Sequence, residues 1–259
     1  QRVCHPAVRH RKADARHRLL EQLAVLGLLD GLALGADQLD LQEKRMPVLF
    51  IGHGSPMNGI EDNAFSRRWK KMAADIPLPK AVLVVSAHWL SKGTRITAMD
   101  FPKTIHDFGG FPKALYEVQY PAPGNPALAK ETAGLIQHTQ VLEDHDWGLD
   151  HGTWTIVRHM YPDANIPVLQ LSIDYSKEGE YHYALANELS ALRRKGVLII
   201  GSGNMVHNLG MVDWNKLDQP NYGYDWATQI NTTFKKLITD GDHRSLIHYE
   251  KLGREAKLA

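Results

Sequence analysis

What is scarce in this sequence narrows it first. Among 259 residues there is one cysteine, Cys4. A single thiol closes no intrachain disulfide, so the fold must rest on its core, and a reducing compartment such as the cytoplasm is expected. An excess of one charge sign is missing too: 30 Lys and Arg stand against 29 Asp and Glu, a formal net charge of +1. Such a chain has no global field to draw nucleic acid or an acidic membrane surface, and neither is expected as a partner. No apolar run approaches the roughly 18 residues that a membrane span needs. Two catalytic signatures are also absent. Gly52-His53-Gly54-Ser55 lacks the spacing of a phosphate-binding loop, and Gly201-Ser202-Gly203 lacks the frame of a hydrolase nucleophile elbow, though a serine hydrolase using Ser55 or Ser202 stays open.

Histidine, by contrast, is abundant, with 14 in all. His5, His10 and His17 lie in residues 1–45, a stretch unlike the rest: basic up to Arg18, then rich in Leu, Ala and Gly. Glu21 and Asp30 interrupt its apolar part, against a secretory signal, and Gly27, Gly31 and Gly35 weaken an amphipathic helix. Residues 1–45 are therefore expected to be a leader outside the catalytic fold, with residues 46–259 as one domain. From Met46 onward, strand and helix patterns alternate. Apolar runs predict strands over 48–51, 81–86, 94–98, 167–173 and 197–200. Helices are predicted over 64–74, 125–138, 154–161 and 179–195, with two more after 225 broken at Asp240-Gly241-Asp242. That alternation argues a three-layer α/β/α fold with a central mixed or mostly parallel sheet.

Three apolar runs each lead into a histidine: His53, His88 and His207. The carboxyl ends of strands are where open α/β sheets bind ligands, and adjacent strands bring such residues together. The most polar loop, residues 143–152, adds His145 and His151 among four carboxylates. A lone loop histidine is more often a hydrogen-bonded or surface residue than a ligand. Three at equivalent strand ends, with a further pair, point to a metal or acid/base site. The loop His106-Asp107-Phe108-Gly109-Gly110-Phe111-Pro112 exposes two aromatics that either line a pocket or pack on each other.

His53-Gly54-Ser55-Pro56, Ser86-Ala87-His88-Trp89, the residue 106–112 loop, Gly148-Leu149-Asp150-His151-Gly152 and Gly201-Ser202-Gly203-Asn204-Met205-Val206-His207-Asn208 together resemble the class III extradiol ring-cleavage dioxygenases. Within that group they are most similar to the 4,5-DOPA extradiol dioxygenases of bacteria and plants. The resemblance implies a catechol substrate and O2, with ring opening to a muconic semialdehyde. It implies a mononuclear site holding Fe(II) in ring-cleaving members, and sometimes Zn(II) in isolated protein. His53 and His88 match metal ligands; His207 matches a histidine counted as ligand or as acid/base, and His151 a catalytic position facing substrate. The family's later His-Pro-Thr-Pro stretch has no counterpart here, so the chain is expected to be truncated at its C-terminus. Phe108, Phe111, Tyr116 and His145 are the candidate substrate contacts. Two rivals use the same residues: a zinc hydrolase, which would need no O2, and a binding module that has lost catalysis.

Overall fold

The computed structural model of the protein describes residues 45–216, 219 and 222–259, so the expectation for the leader lies almost wholly outside the described residues. The strands are β1 (Val48–Ile51), β2 (Ala81–Ser91), β3 (Thr94–Thr97), β4 (Val141–Asp144), β5 (Val168–Asp174) and β6 (Val197–Ser202). They form one sheet in the order β1-β6-β2-β5-β3-β4. Every neighbouring pair is parallel except β3 against β5, so the sheet is mixed.

The middle strands read as unbroken apolar runs because helices cover both faces. Alternate side chains go to opposite layers. Leu83, Val85, Leu169, Leu171 and Ile199 pack with helices α3 (Pro126–Leu135) and α5 (Gly179–Leu189). Val82, Val84, Val168, Leu198 and Ile200 pack on the other side with α1 (Ala64–Asp75) and α4 (His151–Met160). A short α2 (Lys113–Tyr116) follows the aromatic loop. The chain continues into α6 (Asp225–Asp240) and α7 (His243–Ile247), which share a third apolar cluster around Ile230, Phe234 and Leu246. The break between them falls at Gly241, whose φ of 71° suits the left-handed cap expected there.

Four boundaries differ from expectation in ways that matter for the site. β2 does not stop at Ser86 but runs to Ser91, and its pairing with β5 shifts register between Val85 and Leu90. His88 therefore sits inside an irregular stretch of strand rather than in a loop after it; a local break of this kind re-aims a side chain. β4 was read only as two apolar residues before a polar loop. The helix expected over 154–161 starts earlier, at His151, because Asp150 caps it by accepting the Thr153 N–H at 3.0 Å. The helix expected over 179–195 ends at Leu189 and continues as a 3-10 turn (Ser190–Lys195) closed by Gly196.

Candidate active site

Three elements of the fold carry three histidines to one point. His53 leaves the end of β1, His88 projects from the irregular stretch of β2, and His151 opens α4. Each offers a ring nitrogen, and these atoms all lie within 4.8 Å of one another. The ring centroids of His88 and His151 are 3.9 Å apart, those of His53 and His88 4.9 Å. Close approach of α4 to β2 requires Gly152, where a Cβ would fall 2.5 Å from Ser86 Oγ and 3.0 Å from His88 Cδ2.

The outward nitrogens are held from behind. Ser202 Oγ donates to the Gly152 carbonyl, so it must accept from His53 Nδ1, which lies 2.8 Å away. His88 Nδ1 lies 3.2 Å from Asp107 Oδ2, and a carboxylate only accepts. Both rings are thereby fixed as Nδ1–H tautomers. With both rings neutral, their Nε2 atoms face each other at 3.0 Å, lone pair to lone pair. That arrangement is repulsive by itself and becomes favourable with a cation between. Imidazole nitrogens about 2.0–2.1 Å from one ion, in tetrahedral or octahedral array, lie about 3 Å apart. The donor set therefore fits a transition metal, and hydrogen bonding of each ligand's second nitrogen is what such ligands ordinarily show.

Asp107 joins two of the three histidines. Its Oδ1 is 2.9 Å from His151 Nδ1 and accepts the His151 backbone N–H at 2.9 Å. Burial pushes the Asp107 carboxyl up, but the hydrogen bonding and charge of His151 outweigh it and hold the group below the usual carboxylate range. Behind it, Asp150 is pushed up to about 6 by complete burial and then by the charge of Asp107, against hydrogen bonds from Gln170 and Ser86. Gln170 Oε1 accepts the Asp150 N–H and its Nε2 donates to Asp150 Oδ2, both at 2.8 Å, so the start of α4 is keyed to β5.

The histidines open onto a cavity of about 960 Å³. Phe108 and Phe111 line it, in edge-to-face contact with each other at 5.4 Å, and Phe108 also meets the His151 ring at 5.5 Å. His207 lines the same cavity from the loop after β6 but is not one of the three clustered histidines. The structure groups His151, where sequence expectation had His207, with His53 and His88. The physical reason is local: α4 is pinned at its first residue, whereas His207 stands five residues beyond the end of β6. The two loops do touch, since the Gly54 N–H donates to Asn204 Oδ1 at 3.3 Å.

Two expected substrate contacts lie elsewhere. Tyr116 packs behind Phe108, at 5.1 Å between rings, outside the residues lining the cavity. His145 is exposed beside Glu143 and is not among the residues lining the cavity. Asp107 and Gln170 were given no role from sequence, and Ser202 only that of a possible hydrolase nucleophile. Asp107 was visible inside the aromatic loop motif, and its position next to His106 was the one available signal. Gln170 is an ordinary residue of a buried strand and carried none.

The chain is similar to known proteins along most of its length. A family model described as the catalytic LigB subunit of aromatic ring-opening dioxygenase matches residues 47–258. The 4,5-DOPA dioxygenase extradiol of Escherichia coli (strain K12) is 50% identical over 200 residues, spanning 77% of this chain and 73% of that protein. The protein of the same name from Beta vulgaris is 37% identical over 218 residues, spanning 81% and 79%. The crystal structure of an uncharacterized protein from Escherichia coli K12 aligns with a TM-score of 0.69 at 41% identity, covering 83% of this chain and 82% of that one.

Proposed function

This chain belongs to the family of LigB-type catalytic subunits of aromatic ring-opening dioxygenases, and from that premise we propose that it opens the ring of a DOPA-like catechol beside the diol, with O2 and Fe(II). The observation that carries the reading is the facing pair of Nε2 lone pairs on His53 and His88, 3.0 Å apart at the wall of an aromatic-lined cavity. His53 and His88 hold the metal, with His207 as the further ligand from the loop after β6. Fe(II) would supply the electronic link between an electron-rich catecholate and O2, which redox-inert Zn(II) cannot.

The chain's own residues supply position and protons. Phe108 and Phe111 hold the flat face of the ring, so that the diol is directed at the histidines rather than tumbling in the cavity. His151 Nε2 takes a proton from a catechol hydroxyl, and the resulting imidazolium is stabilised by Asp107, which faces its Nδ1 at 2.9 Å. The same proton is returned as the ring opens to the semialdehyde. Ser202 and Asp107 meanwhile keep His53 and His88 in the tautomers that bind metal. Among the described residues no helix is long and apolar enough to cross a membrane, and a reducing cytoplasm would keep iron ferrous.

The test is anaerobic loading of the chain with Fe(II), followed by L-DOPA and O2. A yellow ring-opened product formed with matching oxygen uptake is expected. Turnover that needs no O2 and survives Zn(II) in place of iron would instead mark a hydrolase.

A further inference from the structure

The cavity has a second wall, formed by described residues between Asn204 and Ala227. It includes 3-10 turns at Leu209–Met211 and Trp214–Lys216, then Tyr222, Tyr224 and the first turn of α6 with Trp226. Of all the residues lining the cavity, three carry an Asp, Glu, Lys or Arg side chain: Asp107, Asp213 and Lys216. Asp107 is taken up by His88 and His151. The other two are unused by the chemistry above, are opposite in sign, and stand on one turn.

That turn places them together. The Lys216 N–H donates to the Asp213 carbonyl at 3.1 Å, closing a 3-10 turn around Trp214. Positions three apart in such a turn fall on one side of it, and both residues line the cavity. Among the described residues neither forms an ion pair. Asp213 Oδ1 accepts the Asn215 N–H at 3.2 Å, which orients the carboxylate. Lys216 Nζ rests 4.3 Å from the Tyr222 ring centroid, a contact that fixes the ammonium while leaving its N–H groups able to donate.

We propose that Asp213 and Lys216 form the subsite for a zwitterionic α-amino-acid end of the substrate, Lys216 pairing with its carboxylate and Asp213 with its ammonium. This rests on the DOPA-cleaving reading of the same cavity and adds the two residues that select the amino-acid end of such a catechol. A cavity of about 960 Å³ has room beyond a single aromatic ring, and an uncharged catechol would leave both charges facing water. A zwitterion satisfies both at once with charge-assisted hydrogen bonds.

The experiment measures binding apart from turnover. The full chain, loaded with Zn(II) and kept under argon, is titrated calorimetrically with L-DOPA, dopamine, 3,4-dihydroxyphenylpropionate and 4-methylcatechol. Dopamine lacks the carboxylate, the propionate lacks the ammonium, and 4-methylcatechol lacks both. L-DOPA should bind about tenfold more tightly than either singly charged probe. Lys216→Met should erase the gap between L-DOPA and dopamine, and Asp213→Asn the gap between L-DOPA and the propionate. Equal affinity of the wild type for all four, or variants that weaken all four alike, would overturn the subsite. Should either variant not fold, Lys216→Gln and Asp213→Ser replace it in the same titrations, with the same outcomes expected. The Fe(II)-loaded wild type is then given the same four compounds with O2. Cleavage without discrimination sinks the subsite alone; discrimination in binding with none of the four cleaved sinks the ring-opening reading and leaves the subsite standing.

Discussion

The two walls of the cavity are made by opposite means. The histidine wall hangs on the buried centre of the sheet: His53 and His151 are 2% and 5% exposed, and their partners Ser202, Asp150 and Gln170 are wholly buried. Residues on β1, β2, β5, β6 and α4 must all be in register before those rings meet. The other wall is a strap of short turns with exposed Leu209, Trp214 and Tyr224, held by local hydrogen bonds such as Asn208 Oδ1 to the Gly210 N–H at 3.1 Å. One wall is preorganised by the core and suits chemistry; the other can vary without disturbing the fold and suits recognition. Substitutions should divide accordingly, the first wall losing metal and turnover and the second losing selectivity.

The largest effect should come from His53→Ala or His88→Ala. Either removes one of the two facing nitrogens, and Fe(II)-dependent oxygen uptake should fall to background, with metal affinity measured by chelator competition falling by more than about 100-fold. A variant that kept both would remove the basis for placing the metal there. Next come His207→Ala and His151→Ala as a pair. We expect His207→Ala to weaken metal binding, and His151→Ala to keep the metal while turnover drops by about 10²–10⁴-fold. The reverse pattern would make His151 the ligand that its clustering with His53 and His88 permits. Asp107→Asn should be milder, about 10–100-fold in metal affinity or activity, because it acts through His88 and His151. Its signature is a loss shared between metal affinity and turnover, since one carboxylate serves both rings. On the strap, Tyr224→Ala should change the ranking of catechols while metal affinity stays where it was.

The same contrast explains what could be read from sequence. β1, β2 and β6 announce themselves as apolar runs, and the histidines at their ends were legible because strand direction and parallel pairing dictate where such residues go. His88 was expected just past the end of β2 and stands inside it. A register break inside β2 leaves no composition signal, since Ala87, Trp89 and Leu90 suit a strand whether or not it bulges. Asp107 lies far from His151 in the chain, and only the meeting of the aromatic loop with the start of α4 makes it a partner. His145 shows the opposite failure: it shares a short polar loop with His151, but sequence proximity does not settle which side of a turn faces inward. Asp213 and Lys216 stand in a stretch with no periodicity at all, and nothing in its composition distinguishes a solvated turn from a cavity wall.

The smallest effect expected is on stability rather than catalysis, and it lies just behind the histidine wall. His159, on α4, is buried against Trp69, with ring centroids 5.9 Å apart, and its Nε2 donates to the Asn58 carbonyl at 2.8 Å. Asn58 in turn donates to the His53 carbonyl at 2.9 Å, so the contact supports the loop that carries a metal ligand. Burial pulls the His159 pKa below its ordinary 6.5; Arg158 and Lys70 pull the same way, while the hydrogen bond to Asn58 and the charge of Asp62 oppose them. Below pH 6.5 the unfolded chain therefore takes up a proton that the folded chain still refuses. Stability is unaffected by this group above that pH, declines as pH falls through 6.5 toward the folded value, and levels off beneath it. His159→Gln retains an N–H donor for Asn58 but cannot titrate. Urea unfolding of both proteins at about pH 7.5 and about pH 5.5 should show the smaller loss of stability on acidification in the variant. An equal loss would mean that His159 charges as readily in the fold as out of it, and that the region behind the histidine wall is wetter than its burial implies.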